Sequence, residues 1–166
     1  MRAVDLTFDK TRHLFSLPVT LLRKPEPTFG GPANPPYIYR SMYLDTGSNL
    51  TSITDKEASG LGINPERLRV EDVGGIGGMT RVPITHDVII VVLDRNQNPA
   101  EIRLDNIGVH RTEIKRKIEK THGVFKEKGY VGAQMVCLFG LDAVEKLKGK
   151  IELDMVSKKG EIQFTT

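Results

Sequence analysis

The sequence predicts a mainly β domain, barrel-like and closed, with two short helices. Three observations carry that reading. Short runs rich in Val, Ile, Leu, Tyr and Phe recur along the chain, and many of them alternate in polarity. Gly, Pro and Asn clusters punctuate them, as at 24–36, 64–66 and 94–99. Helical periodicity is confined to a few brief stretches. With 166 residues, 39% hydrophobic and 27% charged, the chain reads as one globular domain over 1–166, large enough to bury its own core.

In chain order, Asp5 to Arg12 is polar and makes a poor strand. His13 to Leu22 reads as a strand, with Leu14, Phe15, Leu17, Val19 and Leu21 mostly alternating. The loop 24–36 holds Pro25, Pro27, Pro32, Pro35 and Pro36 with Gly30 and Gly31, which cannot sustain a ladder. Tyr37 to Leu44 is the next strand, and it delivers Asp45 into the turn Thr46-Gly47-Ser48. Leu50 to Ile53 is extended. Thr54-x-x-Glu57 has the capping-box pattern for a helix over 54–61. Leu68 to Val73 leads into Val73-Gly74-Gly75-Ile76-Gly77-Gly78-Met79, a hairpin tip whose glycines admit backbone angles closed to other residues. Val88 to Leu93 is apolar on both faces, which predicts a buried strand. Ile102 and Leu104 alternate with charges on a returning strand.

Residues 106–130 read as an inserted basic segment with a helix over 112–121. Between Arg111 and Lys128, seven basic residues face three acids, so this segment holds more than the whole chain's excess of +3. A solvated charged face explains it more simply than a nucleic-acid surface. Val131 to Phe139 returns to strand. Asp142-x-x-Glu145 caps a second helix over 142–148, with Val144 and Leu147 inward. Two strands, Lys150 to Val156 and Glu161 to Thr165, close the chain around Ser157-Lys158-Lys159-Gly160.

The composition also excludes several classes. One cysteine, Cys137, allows no internal disulfide and lies in an apolar run, which predicts a buried, inert thiol. The four histidines show no metal-ligand spacing, so neither a metal nor a cofactor is expected. The longest apolar run, Val88 to Leu93, is far too short to span a membrane. The N-terminus has no apolar signal core, and a cytoplasmic location is the expectation. A phosphate cradle at the glycine stretch fits poorly, because no Lys-Ser/Thr follows and a strand comes next.

Asp45-Thr46-Gly47-Ser48, then Gly74-Gly75-Ile76-Gly77-Gly78, then Leu138-Phe139-Gly140-Leu141-Asp142 occur in an order that resembles the retropepsin-type aspartic proteases. Those are single-domain, dimeric relatives of pepsin. The glycine stretch is similar to the flap of retroviral proteases. The Leu-Phe-Gly-Leu-Asp run is closer to cellular members such as the DNA-damage-inducible proteases, since viral members usually carry Arg where Leu141 stands. The resemblance covers about residues 12–165.

It implies a closed acid-protease barrel, a homodimer, and a peptide or protein substrate. It further implies that Asp45 pairs with Asp45 of a second chain to activate water, and that Thr46 bonds across the two-fold axis. Ser48 would then hydrogen-bond its own Asp45, and Val73 to Met79 would cover the substrate. The C-terminal hairpin is the expected inter-chain sheet. Two rival readings stand beside these: Asp45 as a plain Asx-turn acid bonding its own backbone, and a non-catalytic dimeric module on the same fold that binds peptide or nucleic acid.

Overall fold

The computed structural model describes residues 1–25, 35–75, 78–112 and 135–165. Among the described residues, twelve strands and two α-helices carry the fold. They are β1 (Arg2–Asp9), β2 (Leu14–Arg23), β3 (Tyr37–Leu44), β4 (Ser52–Thr54), α1 (Asp55–Gly60), β5 (Arg69–Gly75) and β6 (Gly78–Thr85). Then come β7 (Val88–Leu93), β8 (Pro99–Ile102), β9 (Ile107–His110), β10 (Leu138–Phe139), α2 (Leu141–Lys146), β11 (Lys150–Asp154) and β12 (Lys159–Phe164). The domain is mainly β, as its alternating apolar runs predict.

The sheet is not the closed barrel that was expected. Its path runs β11-β12-β1-β2-β3-β10-β4-β9-β6-β5, and β7 branches off to pair β2 and β8. The branching follows from the ten-residue length of β2. Its first residues pair β1, its last four pair β7, and β3 lies alongside from Ser16 to Leu22. Beyond β11, β5 and β8, no described strand continues the ladder.

The N-terminal segment corrects the sequence reading. Val4 and Leu6 are buried while Asp5 and Thr7 face out, so the segment has the period of a half-buried strand. Its polar residues lie on the outward side, where Arg95 Nε donates to Asp5 at 2.9 Å and the same guanidinium reaches Glu161. β1 pairs β12 from Arg2↔Phe164 to Leu6↔Gly160.

Ile107–His110 is a second correction. It opens the stretch read as an insertion, yet it pairs β4 in parallel and β6 antiparallel, with Ile107 and Val109 buried. The helix expected over 112–121 lies almost wholly outside the described residues. The base of that segment is held together: Met135 N–H donates to Thr112 O at 3.1 Å, and Thr112 N–H donates to Asp55 at 2.9 Å.

The core is continuous. Leu17, Leu21, Met42, Ile53, Ile90, Ile102, Ile107, Phe139, Ile162 and Phe164 are all essentially inaccessible. Each contributes roughly 1.5–3 kcal/mol by leaving water. α1 packs through Ala58 and α2 through Ala143 and Val144, with Leu61 and Leu147 buried just past the helix ends. Both helices are short; the Thr54 side chain makes no cap bond at α1, and α2 has Gly140, which carries no side chain, at its N-cap. α2 begins one residue before Asp142, because that carboxylate is engaged elsewhere. Among the described residues no helix is long and apolar enough to cross a membrane.

Candidate active site

The acid turn is built from three separated pieces of chain. Met42 and Leu44 point into the core, so Tyr43 and Asp45 take the opposite side of β3. β10 threads between β3 and β4, parallel to the first (Leu138↔Tyr43, Phe139↔Leu44) and antiparallel to the second (Leu138↔Ser52). The ladder continues into the turn itself, where Asp45 N–H donates to Phe139 O at 3.0 Å.

The loop then closes on itself. Ser48 N–H donates to Asp45 O at 3.3 Å, and Gly47 N–H donates to Asp45 Oδ1 at 3.0 Å. The second bond is the Asx-type contact that a plain turn acid would also make. Asp45 Oδ2 has no hydrogen-bond partner among the described residues. Asp45 and Ser48 are half-buried, while Thr46 and Gly47 are exposed.

Ser48 differs from expectation. Its hydroxyl donates to Leu50 O at 2.9 Å and accepts Leu50 N–H at 3.2 Å, rather than bonding the Asp45 carboxylate. A hydroxyl can do both at once, and the bend after the turn offers it a donor and an acceptor two residues on. The Ser48 carbonyl accepts Leu141 N–H at 2.9 Å, tying the turn to α2.

Thr51 and Asp142 form a strap that the sequence reading missed. The Thr51 backbone N–H reaches Asp142 Oδ1 at 3.0 Å, and its hydroxyl donates to the same oxygen at 2.5 Å. The hydroxyl also accepts Gly140 N–H at 3.0 Å. Thr51 is fully buried. The motif reading had assigned Asp142 to a helix cap; here it accepts Ala143 N–H at 2.8 Å and turns the rest of its capacity toward the strand leaving the acid turn.

Two further clusters lie beside the turn. Tyr43 OH donates to Asp9 at 2.7 Å, and the Arg12 guanidinium sits 5.4 Å from the Tyr43 ring centre. That hydroxyl bond holds Asp9 below the ordinary carboxylate range and pushes the Tyr43 phenol up. Behind β10, Glu57 is buried beside Thr54, Arg40 and Cys137. Arg40 Nε donates at 2.7 Å and the Thr54 hydroxyl donates to the other oxygen. Burial pushes the Glu57 carboxyl up, but these donors outweigh it and leave its pKa lowered. The Cys137 thiol lies 3.6 Å from Glu57, and burial, then the carboxylate, push it up to about 12. It is the buried thiol that its apolar context predicts.

The glycine hairpin is formed by β5 and β6, paired at Val73↔Thr80, Gly74↔Met79 and Gly75↔Gly78. Ile76 and Gly77 lie outside the described residues, and Met79 is 71% exposed. The base of the hairpin meets the strand leaving the acid turn at Gly108 of β9. A Cβ there would stand 2.9 Å from Leu50 and 3.2 Å from Val82 of β6. A larger residue there would have to displace the end of the Leu50 side chain. Among the described residues no three His, Cys, Asp or Glu side chains converge as a metal site. A surface groove lined by Leu6, Arg95, Leu153, Lys159 and Glu161 lies away from these elements and shares no residue with them.

Among solved structures, the chain is similar to a retropepsin-like aspartic protease from Rickettsia conorii. The match has a TM-score of 0.58 and 12% identity, and covers 98% of this chain and 90% of that one. No family model matches the chain. No curated protein sequence matches it either. At this identity the likeness is one of fold: the chain shares the architecture of a retropepsin-like aspartic protease over nearly its whole length.

Proposed function

We infer that the chain is an aspartic endopeptidase of the retropepsin type, working as a homodimer on peptide or protein substrates. The observation that carries this reading is the Asp45 turn. Its backbone is tied to β10 and α2, and one carboxylate oxygen has no hydrogen-bond partner among the described residues. The fold likeness supports the same reading.

In this mechanism two Asp45 carboxylates, one from each chain, share a proton, because like charges so close cannot both ionise. The ionised member takes a proton from water, which attacks the scissile carbonyl. The protonated member donates to the carbonyl oxygen. The apparent pKa values then belong to the pair. Thr46 and Gly47, exposed at the tip, face the partner's turn. The β5–β6 hairpin, Val73 to Met79, covers the substrate, with backbone amides near Ile76 as donors.

The test is a peptide-library digest from acid to neutral pH, with Asp45→Asn alongside. Asn keeps the turn's bond to Gly47 N–H but can neither share a proton nor act as a base. The expected result is a bell-shaped cleavage profile that disappears in Asp45→Asn while the fold is kept. Undiminished cleavage by the purified variant would refute the assignment.

A further inference from the structure

β3 has two unlike faces. Ile38, Arg40, Met42 and Leu44 turn inward; Ile38 packs on Gly60 of α1, and Arg40 Nε donates to Glu57 at 2.7 Å. Tyr37, Tyr39, Ser41 and Tyr43 turn outward, on the side that Asp45 takes at the strand's end. Tyr37 is 58% accessible and Tyr39 69%, and their rings meet edge to face with centres 5.5 Å apart. Two adjoining rings so exposed hold apolar area that folding does not use.

The outward face also has a slot. Ser41 stands between Tyr39 and Tyr43, whose Cα atoms are about 13 Å apart at the rise of a strand. Pro18 lies opposite Ser41 across the ladder and Thr20 opposite Tyr39, so small side chains floor the gap. Ser41 and Pro18 are both exposed. One wall is fixed in advance: Tyr43 OH donates to Asp9 at 2.7 Å, and Arg12 lies against the ring. Asp9 and Arg12 offset each other's charge, 3.5 Å apart. No charged side chain stands on this face of β3 from Tyr37 to Tyr43, or of β2 from Ser16 to Leu22.

These features select the ligand. An uncharged face suits an uncharged segment. A gap of that size, narrowed by two rings, does not admit an α-helix, about 10 Å across. An added strand needs free backbone groups, and those between β2 and β3 bond each other. A polyproline II segment needs none from its host. Its proline rings pack on aromatic faces, and its conformation is largely set before it binds.

We propose that the Tyr39–Tyr43 slot binds an uncharged, proline-rich extended segment of the protein substrate, outside the part that is cleaved. This rests on the protease reading, and Tyr43 links the two places by sharing its side of β3 with Asp45. Tyr39 lies about 20 Å along the chain from Asp45. A polyproline II segment, at about 3.1 Å per residue, covers that span in roughly six residues.

The full chain carrying Asp45→Asn, used so that the probe is not digested, is titrated with an end-blocked, uncharged proline-rich decapeptide. The same peptide with alanine for every proline is run in parallel, and amide chemical shifts of isotope-labelled protein report binding. The proline peptide should shift Tyr39, Ser41 and Tyr43 saturably. Binding should be roughly tenfold weaker with the alanine peptide, and in Tyr39→Ala. Ser41→Tyr puts a good strand former into the slot, keeps the fold and should weaken binding as much. No saturable shift, equal binding of the two peptides, or undiminished binding by Ser41→Tyr overturns the proposal. So does a single-stranded oligonucleotide that shifts the same amides more tightly. Cleavage is scored separately with the Asp45 chain. Attaching the proline segment roughly six residues from a cleavable sequence should lower KM with kcat kept, and Ser41→Tyr should remove that difference. Peptide binding by a chain that cleaves nothing refutes the protease reading and leaves the slot as a binding site; cleavage by a chain that binds no proline peptide refutes this inference alone.

Discussion

Thr51→Val isolates the strap behind the acid turn. The change is nearly isosteric and removes one hydroxyl from a site with no solvent access. That hydroxyl donates to Asp142 and accepts Gly140 N–H. Losing the first removes a bond to a charged acceptor, about 1.5–3 kcal/mol. Losing the second strands a buried N–H at a further ~1–3 kcal/mol. The Thr51 backbone bond to Asp142 remains, so the two losses bound the effect at roughly 2.5–6 kcal/mol. Thr51→Ser keeps both bonds and should cost less than about 1.5 kcal/mol for the missing methyl. Urea unfolding followed by circular dichroism, at one fixed protein concentration, measures both. If Thr51→Val falls within ~1 kcal/mol of Thr51→Ser, the strap does not stabilise the turn, and the geometric argument fails.

The remaining predictions concern acid and the C-terminus. Glu57 has a lowered folded pKa, so its stabilising contribution is full above the ordinary glutamate value and is lost as pH falls through the lowered one. Wild type should lose stability on acidification below about pH 4.5, and Glu57→Gln should be less stable at neutral pH with a shallower acid slope; parallel slopes would discount Glu57. Deleting residues 157–166 should abolish cooperative unfolding rather than leave a folded monomer, because β12 lies between β11 and β1 and buries Ile162 and Phe164. A cooperative unfolding curve from the truncated chain would contradict that.

The bounds of Tyr37–Leu44 and Val88–Leu93 were legible because strong β-formers run unbroken to a turn signal. The paired arms of the glycine hairpin were legible for the same reason. β1 was hidden because its outward residues are charged, and a window opening at Asp5 omits Val4, half of its buried pair. β9 was hidden because four residues, Ile-Gly-Val-His, are too short for periodicity; what makes them a strand is two neighbours distant in sequence. The same limit applied to Asp142. Its spacing to Glu145 satisfies a local capping rule, but Thr51, 91 residues away, offers a buried donor pair that no local rule contains. Ser48 erred similarly: the family comparison named its partner, and the local chain supplied a closer one at Leu50.

What unites these elements is a division of labour between backbone and side chain. The position of the acid turn is fixed largely by backbone groups: Asp45 N–H on the Phe139 carbonyl and Leu141 N–H on the Ser48 carbonyl. Backbone bonds of this kind survive most substitutions, which is consistent with one fold persisting at 12% identity. The charge at the turn is treated differently. Buried or partly buried carboxylates elsewhere in this chain are met by cations or hydroxyls, as Asp94 is by Arg2 and Glu57 by Arg40 and Thr54. Asp45 receives a single amide and no cation among the described residues. An acid held this firmly and met by a single amide leaves Oδ2 open among the described residues, which is the place the second Asp45 of the proposed dimer would take.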